Sequence, residues 1–284
     1  MRSSDPRRRP TVLYLVTSDL SARFLTGQLA HLIDEGYDVD VGVGLGVCNA
    51  PVCFDEGVRV HDLRYVREPR PIHDAATLVR TIRLIRRIRP DIVNASTPKA
   101  GLLGTLAAWL CRVPRRVYVA RGLRFETTTG LRRHVLRILE RLTTAAATDV
   151  VFNSASLLRA AEKHRSVARR RGIVLGAGSG NGIDLARFDR LPTRSSVRRS
   201  LRLPDDARVV GFVGRLTRDK GIIDLVEAFD SLGDGNLLLV VGDFEDGDPV
   251  PDETRRRLEL DPNMRHLAWV DDARTIYPAM DVLA

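Results

Sequence analysis

The stretch RVVGFVGRLTRDKGIIDLVEAF, residues 208–229, contains the pattern that decides the fold. Its apolar run from Val209 to Val213 is typical of a buried strand and ends at Gly214. From Ile222 onward the apolar residues recur at helical spacing. A strand that turns through a glycine into a helix is the unit from which parallel sheets covered by helices are built.

The same alternation of strand and helix runs through most of the chain. We predict further strands over 11–17, 37–44, 58–63, 91–97, 115–121, 149–154, 236–242, 264–270 and 281–284, with helices between them that include 76–89, 131–147, 252–259 and 273–280. The chain is therefore predicted to be α/β, with parallel sheets in two units. These units are residues 10–186 and 208–284, and the polar, Pro-marked segment 187–207 connects them. Ligands of such sheets bind at the carboxyl ends of the strands, so we expect a site in the crevice between the units.

The composition indicates a soluble globular protein with anionic partners. Of 284 residues, 44% are hydrophobic and 29% charged, and no run reaches the roughly 18 apolar residues of a membrane span. The net charge of +9 favours phosphates, nucleic acid or an anionic membrane, although a surplus that only confers solubility would look the same. The only lysines are Lys99, Lys163 and Lys220, and a lysine kept among so many arginines suggests a required point charge, which singles out Lys220 and Lys99. Three cysteines without disulfide or zinc spacing indicate free thiols in a reducing compartment.

Two cations flank the turn in the opening stretch. Arg215 follows the strand directly, and Lys220 precedes a second glycine. We predict that Asp219 caps the following helix and that Lys220 lies in its first turn. A cation there opposes the helix dipole, and a bound anion such as a diphosphate would resolve the conflict. The alternative is a solvated Arg and Lys beside a loop, since short cation spacings are common.

Familiar nucleotide and metal motifs do not occur. Neither G-x-G-x-x-G nor G-x-x-x-x-G-K-[ST] is present, and the first strand is followed instead by hydroxyl residues in VTSDLSARF, 16–24. The acidic segment 242–253 lacks His or Cys partners and is typical of a solvated loop. The six histidines are scattered. We therefore predict no metal and no cofactor.

Eight stretches, in chain order, carry a resemblance to a known family. They are SDLSARFLTGQLAHLIDEGYDV (18–39), STPKAGLLGTLAA (96–108), YVARGLRFETTTG (118–130), VVFNSASLLR (150–159), GSGNGIDLARF (178–188), GFVGRLTRDKGIIDLVEAF (211–229), LLLVVGDFEDGDPV (237–250) and HLAWVDDARTIYPAMDVL (266–283). The chain resembles a family 4 glycosyltransferase of the GT-B fold, most closely the bacterial branch that adds sugars to lipid-linked precursors of capsule, O-antigen or related glycans. The resemblance implies two Rossmann-like domains whose parallel sheets face a crevice.

The resemblance also implies a nucleotide-sugar donor site in the second domain. Arg215 and Lys220 match the catalytic cations that hold the donor diphosphate. The other implied donor-binding residues are Gly214, Gly242, Val270, Asn181 and Gly182.

The acceptor side is implied to be the first domain. Its matching residues are Ser18, Ser21, Lys99, Arg121, Arg124 and Glu126. Many family members have a His-Gly pair where Arg121-Gly122 stands here, and the lipid-linked branch often carries Arg at that place.

The implied reaction is retaining transfer of a sugar from a nucleotide sugar, UDP-linked, to a polyprenyl-diphosphate-linked saccharide, with no metal. The expected location is cytoplasmic, peripheral on the inner face of the plasma membrane. The Arg-rich helices 76–89 and 131–142 would meet its anionic surface, or their apolar stripes would face the sheet.

Family members continue past the strand matching DVLA into a segment with two donor-binding glutamates, so the second domain is expected to be incomplete and the chain, as given, inactive. One alternative is accordingly a non-catalytic remnant or fragment that binds membrane or a partner. A GT-B sugar-nucleotide epimerase is disfavoured by the TPKAG and RGLRFE motifs. A nucleic-acid binder is disfavoured because an aromatic content of 5% offers few stacking platforms.

Overall fold

The computed structural model of the chain describes residues 8–46, 54, 57–66, 68–167, 172–179 and 182–284. The chain divides into two compact units, Met1–Gly182 and Ile183–Ala284. Each contains its own sheet, and the paired strands of both sheets run parallel. The predicted α/β class with two parallel sheets is therefore confirmed.

The first unit contains a seven-stranded sheet in the order β3-β2-β1-β4-β5-β6-β7. The strands are β1 (Thr11–Leu15), β2 (Asp38–Val43), β3 (Arg59–Asp62), β4 (Ile92–Ser96), β5 (Arg115–Ala120), β6 (Asp149–Phe152) and β7 (Gly172–Val174). The helices are α1 (Asp19–Ala22), α2 (Gln28–Asp34), α3 (Pro71–Ile88), α4 (Pro98–Leu110), α5 (Gly130–Ala146) and α6 (Ala155–Lys163). The order reverses between β1 and β4, which is the switch point of a Rossmann-like sheet.

The first strand shows why its sequence is an uninterrupted apolar run. Val12 and Tyr14 pack into one buried cluster, whereas Leu13 and Leu15 pack into another. Side chains alternate between the faces of a strand, so the two clusters cover opposite faces of the sheet. A strand buried on both faces has no position left for an exposed polar residue.

The second unit repeats half of this arrangement in a four-stranded sheet ordered β10-β9-β8-β11. Its elements are α7 (Arg194–Ser200), β8 (Arg208–Val213), α8 (Ile222–Phe229), β9 (Asn236–Val241), α9 (Asp252–Leu260), β10 (Met264–Leu267) and β11 (Val282–Leu283). The helix predicted over 273–280 is wrong, because that segment forms two 3₁₀ turns, Ala273–Thr275 and Tyr277–Ala279. Pro278 explains the difference, since it cannot donate a backbone hydrogen bond and disfavours helical conformation in the residue before it.

The segment 187–207, predicted as a connection, packs with the second sheet through a buried arginine. The Arg198 side chain is fully buried, and its guanidinium donates to the carbonyl oxygen of Ala279 at 3.1 Å and to the Asp281 carboxylate at 2.8 Å. The same carboxylate accepts the Val209 N–H at 2.7 Å. The pairing neutralises a buried charge, so it ties α7 to β8 and to the approach to β11.

The two Arg-rich helices of the first unit differ in where their apolar side chains lie. On α3, Leu84 and Ile85 are buried, and Leu78, Ile82 and Ile88 pack against the same core. On α5, four apolar residues at helical spacing are exposed instead, namely Leu131, Val135, Ile138 and Leu142. These four residues are called the α5 stripe below. No helix among the described residues is long and apolar enough to cross a bilayer.

Candidate functional site

The carboxyl edge of the second sheet gathers most of the predicted donor residues. Gly214 and Arg215 follow β8, Gly242 follows β9, and Val270 lies three residues after β10. Because the three strands are parallel neighbours, their carboxyl ends lie at one edge of the sheet. The fold therefore places these four residues at the edge where ligands of such sheets bind. That the two sheets face a shared crevice stays a prediction.

The loops after β8 and β9 run side by side beyond the strands. The Gly214 N–H donates to the Val241 carbonyl and the Leu216 N–H to the Asp243 carbonyl, each at 2.9 Å. Gly242 has a φ of 142°, and a Cβ added there would lie 1.9 Å from the Gly214 carbonyl oxygen. A Cβ on Gly214 would come no closer than 3.5 Å to Phe212, which is ordinary contact. The loop pairing therefore requires a glycine at 242 but not at 214.

Arg215 has two carboxylate neighbours. Its Nη1 lies 2.6 Å from the Glu245 carboxylate and its Nη2 lies 3.8 Å from the Asp219 carboxylate. The Arg215 side chain is 42% exposed. An ion pair so open to water contributes at most about 1 kcal/mol, so a more highly charged anion can displace Glu245. The arrangement holds a guanidinium in place without burying it.

Lys220 lies before the helix rather than in its first turn, so the predicted capping arrangement is wrong. Residues Arg218–Lys220 form a 3₁₀ turn, Gly221 has a left-handed φ of 72°, and α8 begins at Ile222. The N-cap is thus Gly221, which has no side chain to donate or accept.

The Asp219 side chain instead forms a hydrogen bond within the loop. Its carboxylate accepts a hydrogen bond from the Thr217 hydroxyl, which lowers the pKa of Asp219, and the charges of Arg215 and Lys220 lower it further. Lys220 is exposed, and its ammonium has no hydrogen bond or ion pair within the described ranges. It is available for an anion at this edge.

The two remaining predicted donor residues are placed differently. Gly182 is exposed and ends the first unit. Asn181 lies outside the described residues.

The predicted acceptor residues follow three neighbouring strands of the first sheet. Ser18 and Ser21 come after β1, Lys99 after β4, and Arg121, Arg124 and Glu126 after β5. The Ser18 and Ser21 hydroxyls lie 3.1 Å apart and share a hydrogen bond. All six residues therefore belong to the carboxyl edge of this sheet, on both sides of its switch point.

Lys99 is engaged with its own unit. Its ammonium donates to the Asp74 carboxylate at 2.8 Å and to the Glu68 carbonyl, and the side chain is 13% exposed. These contacts hold the start of α3 against the start of α4. The point charge that the sequence singles out thus has a partner in the protein.

Arg121 lies over an aromatic ring. Its guanidinium carbon is 4.6 Å from the centroid of the Phe24 ring, and burial lowers the pKa of Arg121. By contrast, Arg124 and Glu126 are exposed. A planar cation on an aromatic face is held in place by stacking.

Sequence reasoning missed a pair of hydroxyls at the switch point. The Thr17 and Thr97 Oγ1 atoms lie 2.6 Å apart, and the Thr97 Oγ1 also accepts the Thr17 N–H. Thr97 has a φ of 71°, which is strained for a β-branched residue. The sequence signal for this pair was a threonine at the end of each of two predicted strands, 11–17 and 91–97.

Comparisons with known proteins agree with this architecture. Residues 21–178 match the family model described as glycosyl transferase 4-like domain. The chain is 32% identical over 274 residues, covering 95% of this chain and 71% of the relative, to the Staphylococcus aureus capsular polysaccharide biosynthesis glycosyltransferase CapM. It is 26% identical over 74% of its length, and over 55% of the relative, to an Escherichia coli UDP-Gal:alpha-D-GlcNAc-diphosphoundecaprenol alpha-1,3-galactosyltransferase.

Solved structures share the fold at lower identity. Sucrose-phosphate synthase from Thermosynechococcus elongatus superposes with a TM-score of 0.74 at 18% identity, covering 97% of this chain and 75% of that one. The Anabaena protein HepE in complex with UDP-glucose gives a TM-score of 0.69 at 19% identity, covering 96% and 72%. Identities this low speak for the fold alone.

Proposed function

The chain belongs to the glycosyltransferase 4-like family of bacterial polysaccharide synthesis and has a GT-B fold, and from this premise we propose that it transfers a sugar from a UDP-linked donor to a polyprenyl-diphosphate-linked saccharide with retention of configuration. The similarity to CapM carries the proposal, because it extends over 95% of the chain and so includes both units. The name of the E. coli relative specifies a UDP sugar and a diphosphoundecaprenol acceptor, which supports these two substrate classes.

On the donor side, Arg215 and Lys220 stabilise the leaving diphosphate. Negative charge develops on that group as the bond to the sugar breaks, and preorganised cations lower the barrier because they need not reorganise. Two observations support these roles: the Lys220 ammonium has no partner among the described residues, and the ion pairs of Arg215 with Glu245 and Asp219 are open to water. Val270, three residues after β10, is proposed to meet the nucleotide base.

On the acceptor side, polar residues at the edge of the first sheet bind the saccharide and its diphosphate. Arg124 and Arg121 supply positive charge, and Ser18 and Glu126 supply hydrogen-bonding groups. Lys99, tied to Asp74, positions the start of α4 and does not contact the acceptor in this proposal.

A transfer assay tests the proposal. Purified protein is incubated with radiolabelled UDP-glucose, UDP-galactose or UDP-N-acetylglucosamine and bacterial lipid extract, and label in the organic phase is counted. Lipid-linked product from at least one donor, with a loss of at least tenfold in Lys220→Ala, is the result expected of a transferase and not of the non-catalytic remnant considered above. Lys163→Ala is the matched control, since Lys163 is an exposed lysine at the end of α6. No product from any donor, or equal loss in both variants, would contradict the proposal.

The α5 stripe supports a further part of the proposal, that the first unit meets the anionic inner face of the plasma membrane. Leu131 is 81% exposed and Ile138 54%, and Arg132 lies beside them on the same helix. An exposed apolar stripe next to cations is the pattern of an interfacial helix. On α3 the apolar residues are used by the core, so α3 contributes at most its charge.

A further inference from the structure

A basic cleft opens at the amino edge of the first sheet, away from the edge that holds the predicted acceptor residues. It has a volume of about 300 Å³ and lies between the last turns of α3 and α4. Its lining includes Pro90 and Pro114, which precede β4 and β5. The strands leave this edge and end at the opposite one, so the cleft is distinct from the proposed acceptor site.

Three arginines dominate the cleft. They are Arg86, Arg89 and Arg112, and the lining residues that the structure describes include no acid. None of the three guanidinium groups has a hydrogen bond or ion pair within the described part of the chain. Arg59 and Arg115 of the same unit, by contrast, form ion pairs, Arg59 with Asp40 at 2.8 Å and Arg115 with Asp149 at 3.3 Å.

The lack of an acidic residue among the described lining residues leaves like charges around one concave space. Burying or approaching like charges is unfavourable unless an anion is present, and guanidinium groups match phosphate oxygens bidentately. Three positive charges suit a phosphate ester, which carries up to two negative charges, better than a single carboxylate. The volume lies at the lower end of the range for small-molecule sites.

We propose that this cleft binds a phosphate-bearing anion, either a free phosphate compound or the headgroup of an anionic phospholipid. The site is independent of the proposed transfer reaction, since it uses none of the residues assigned to donor or acceptor. Its role would be to bind the ligand at the amino edge of the first sheet.

A simpler explanation of the arginines predicts something different. Cations at the C-terminal end of a helix are stabilised by the helix dipole, and Arg86 and Arg89 end α3. On that explanation the arginines would affect folding stability and would not affect phosphate binding. The binding measurements below therefore separate the two explanations.

The backbone offers a variant that keeps the fold. Arg89 and Arg112 have left-handed φ values of 55° and 56°, which glycine adopts without strain. The cleft variant is therefore Arg86→Gln/Arg89→Gly/Arg112→Gly. The control variant, Arg202→Gln/Arg256→Gln/Arg265→Gln, removes the same charge from exposed positions of the second unit.

The experiment has a soluble arm and a lipid arm, both performed on the full chain. Every variant also carries Lys220→Ala, so that the proposed donor site contributes little to phosphate binding. Calorimetry with inorganic phosphate and glycerol 3-phosphate at constant ionic strength measures soluble binding. Cosedimentation with vesicles containing phosphatidic acid, compared with neutral vesicles, measures lipid binding. Alkylation of Cys111, which lines the cleft, is followed by peptide mass spectrometry with and without phosphate to locate the bound ligand.

We expect the cleft variant to lose at least tenfold in affinity in one arm, whereas the control variant stays within twofold of its parent. Loss in the soluble arm, with phosphate slowing Cys111 alkylation at least threefold, identifies a free phosphate compound. Loss confined to vesicles identifies a lipid headgroup. Binding in neither arm, or equal affinity of both folded variants in both arms, overturns the proposal.

Discussion

Lys220 is an exposed cation just before α8, and the described residues give it no partner. If it binds the donor diphosphate, Lys220→Ala should weaken UDP-sugar binding by about 1.5–3 kcal/mol, the usual value of a charge-assisted contact. Calorimetry with UDP-glucose measures the difference, and Lys163→Ala should leave the affinity unchanged. Equal affinity of Lys220→Ala and the parent would exclude the contact.

Alanine substitution is expected to affect stability very differently at Gly242 and at Gly214. Gly242→Ala would force a Cβ to within 1.9 Å of the Gly214 carbonyl at a positive φ, whereas Gly214→Ala meets only ordinary contact. We expect Gly242→Ala to lower the free energy of unfolding of the second unit by about 2–5 kcal/mol, from overpacking and backbone strain together. Gly214→Ala should change it by less than about 1 kcal/mol. Urea denaturation checks both, and similar losses in the two variants would show the loop geometry to be wrong.

Only part of this residue-scale detail could be predicted from the sequence. The positions of Arg215 and Lys220 after a strand were evident from the apolar run that precedes them. The two glycines looked equivalent, because the contact that distinguishes them joins loops 28 positions apart in the chain. The predicted cap at Asp219 failed because Gly221 takes a left-handed conformation and interrupts the helix, a choice that a Gly-Ile-Ile sequence leaves open.

At the scale of elements, α5 carries a buried acid. Burial raises the pKa of Glu140 to about 7, against a smaller opposing effect of the hydrogen bond from the Tyr118 hydroxyl at 3.4 Å. A carboxyl whose folded pKa exceeds its unfolded value costs stability as the pH rises from about 4.5 to 7. We expect Glu140→Gln to raise the free energy of unfolding at pH 8 by about 2–3 kcal/mol and to change it little at pH 4.

Thermal unfolding from pH 4 to 8 measures this effect. The gain from Glu140→Gln should grow through neutral pH. A gain that is constant with pH would mean that folding does not shift the pKa of Glu140.

The α5 stripe makes the other element-scale prediction. Leu131→Ser/Ile138→Ser should lower recovery with anionic vesicles in flotation at least tenfold, since each exposed aliphatic side chain entering the interface contributes about 1–2 kcal/mol. Ile72→Ser/Leu260→Ser is the control, because these residues are similarly exposed elsewhere. High salt should reduce binding of the parent, as the cations contribute about 1 kcal/mol each. Equal recovery with neutral and anionic vesicles would argue against membrane docking.

Sequence pattern predicted long elements better than short ones. Runs such as 11–17 and 209–213 are apolar enough to indicate strands, and both became internal strands of their sheets. The three-residue strand β7 and the nine-residue helix α6 were not predicted, since short elements carry little periodic pattern. The stripes of α3 and α5 look alike in sequence, and only packing against α4 and the sheet shows which one is buried.

For the whole molecule, the alternation of strands and helices was enough to predict two parallel sheets, because few architectures satisfy it. The boundary between the units was harder to place. Segment 187–207 reads as polar and basic, yet Val197 and Leu203 join a core cluster with Val209 and Leu239. Arginine side chains are normally exposed. Arg198 is fully buried because it pairs with Asp281, which lies 83 positions later in the chain.

These contacts predict where the second unit begins as a folding unit. We expect fragment 183–284 to unfold cooperatively and fragment 208–284 to lack a stable fold, since the shorter one loses α7, part of the core and the Arg198 partner of Asp281. Val197 and Leu203 leave the core cluster with α7, and a buried aliphatic side chain contributes about 1.5–3 kcal/mol, so their combined loss is comparable with the whole stability of a small domain. Circular dichroism during urea denaturation compares the two fragments. In the full chain, Arg198→Gln should raise hydrogen exchange across β8 and β11, whereas Arg199→Gln, an exposed neighbour, should not. Cooperative unfolding of fragment 208–284 at the same urea concentration as 183–284 would place the boundary after α7 instead.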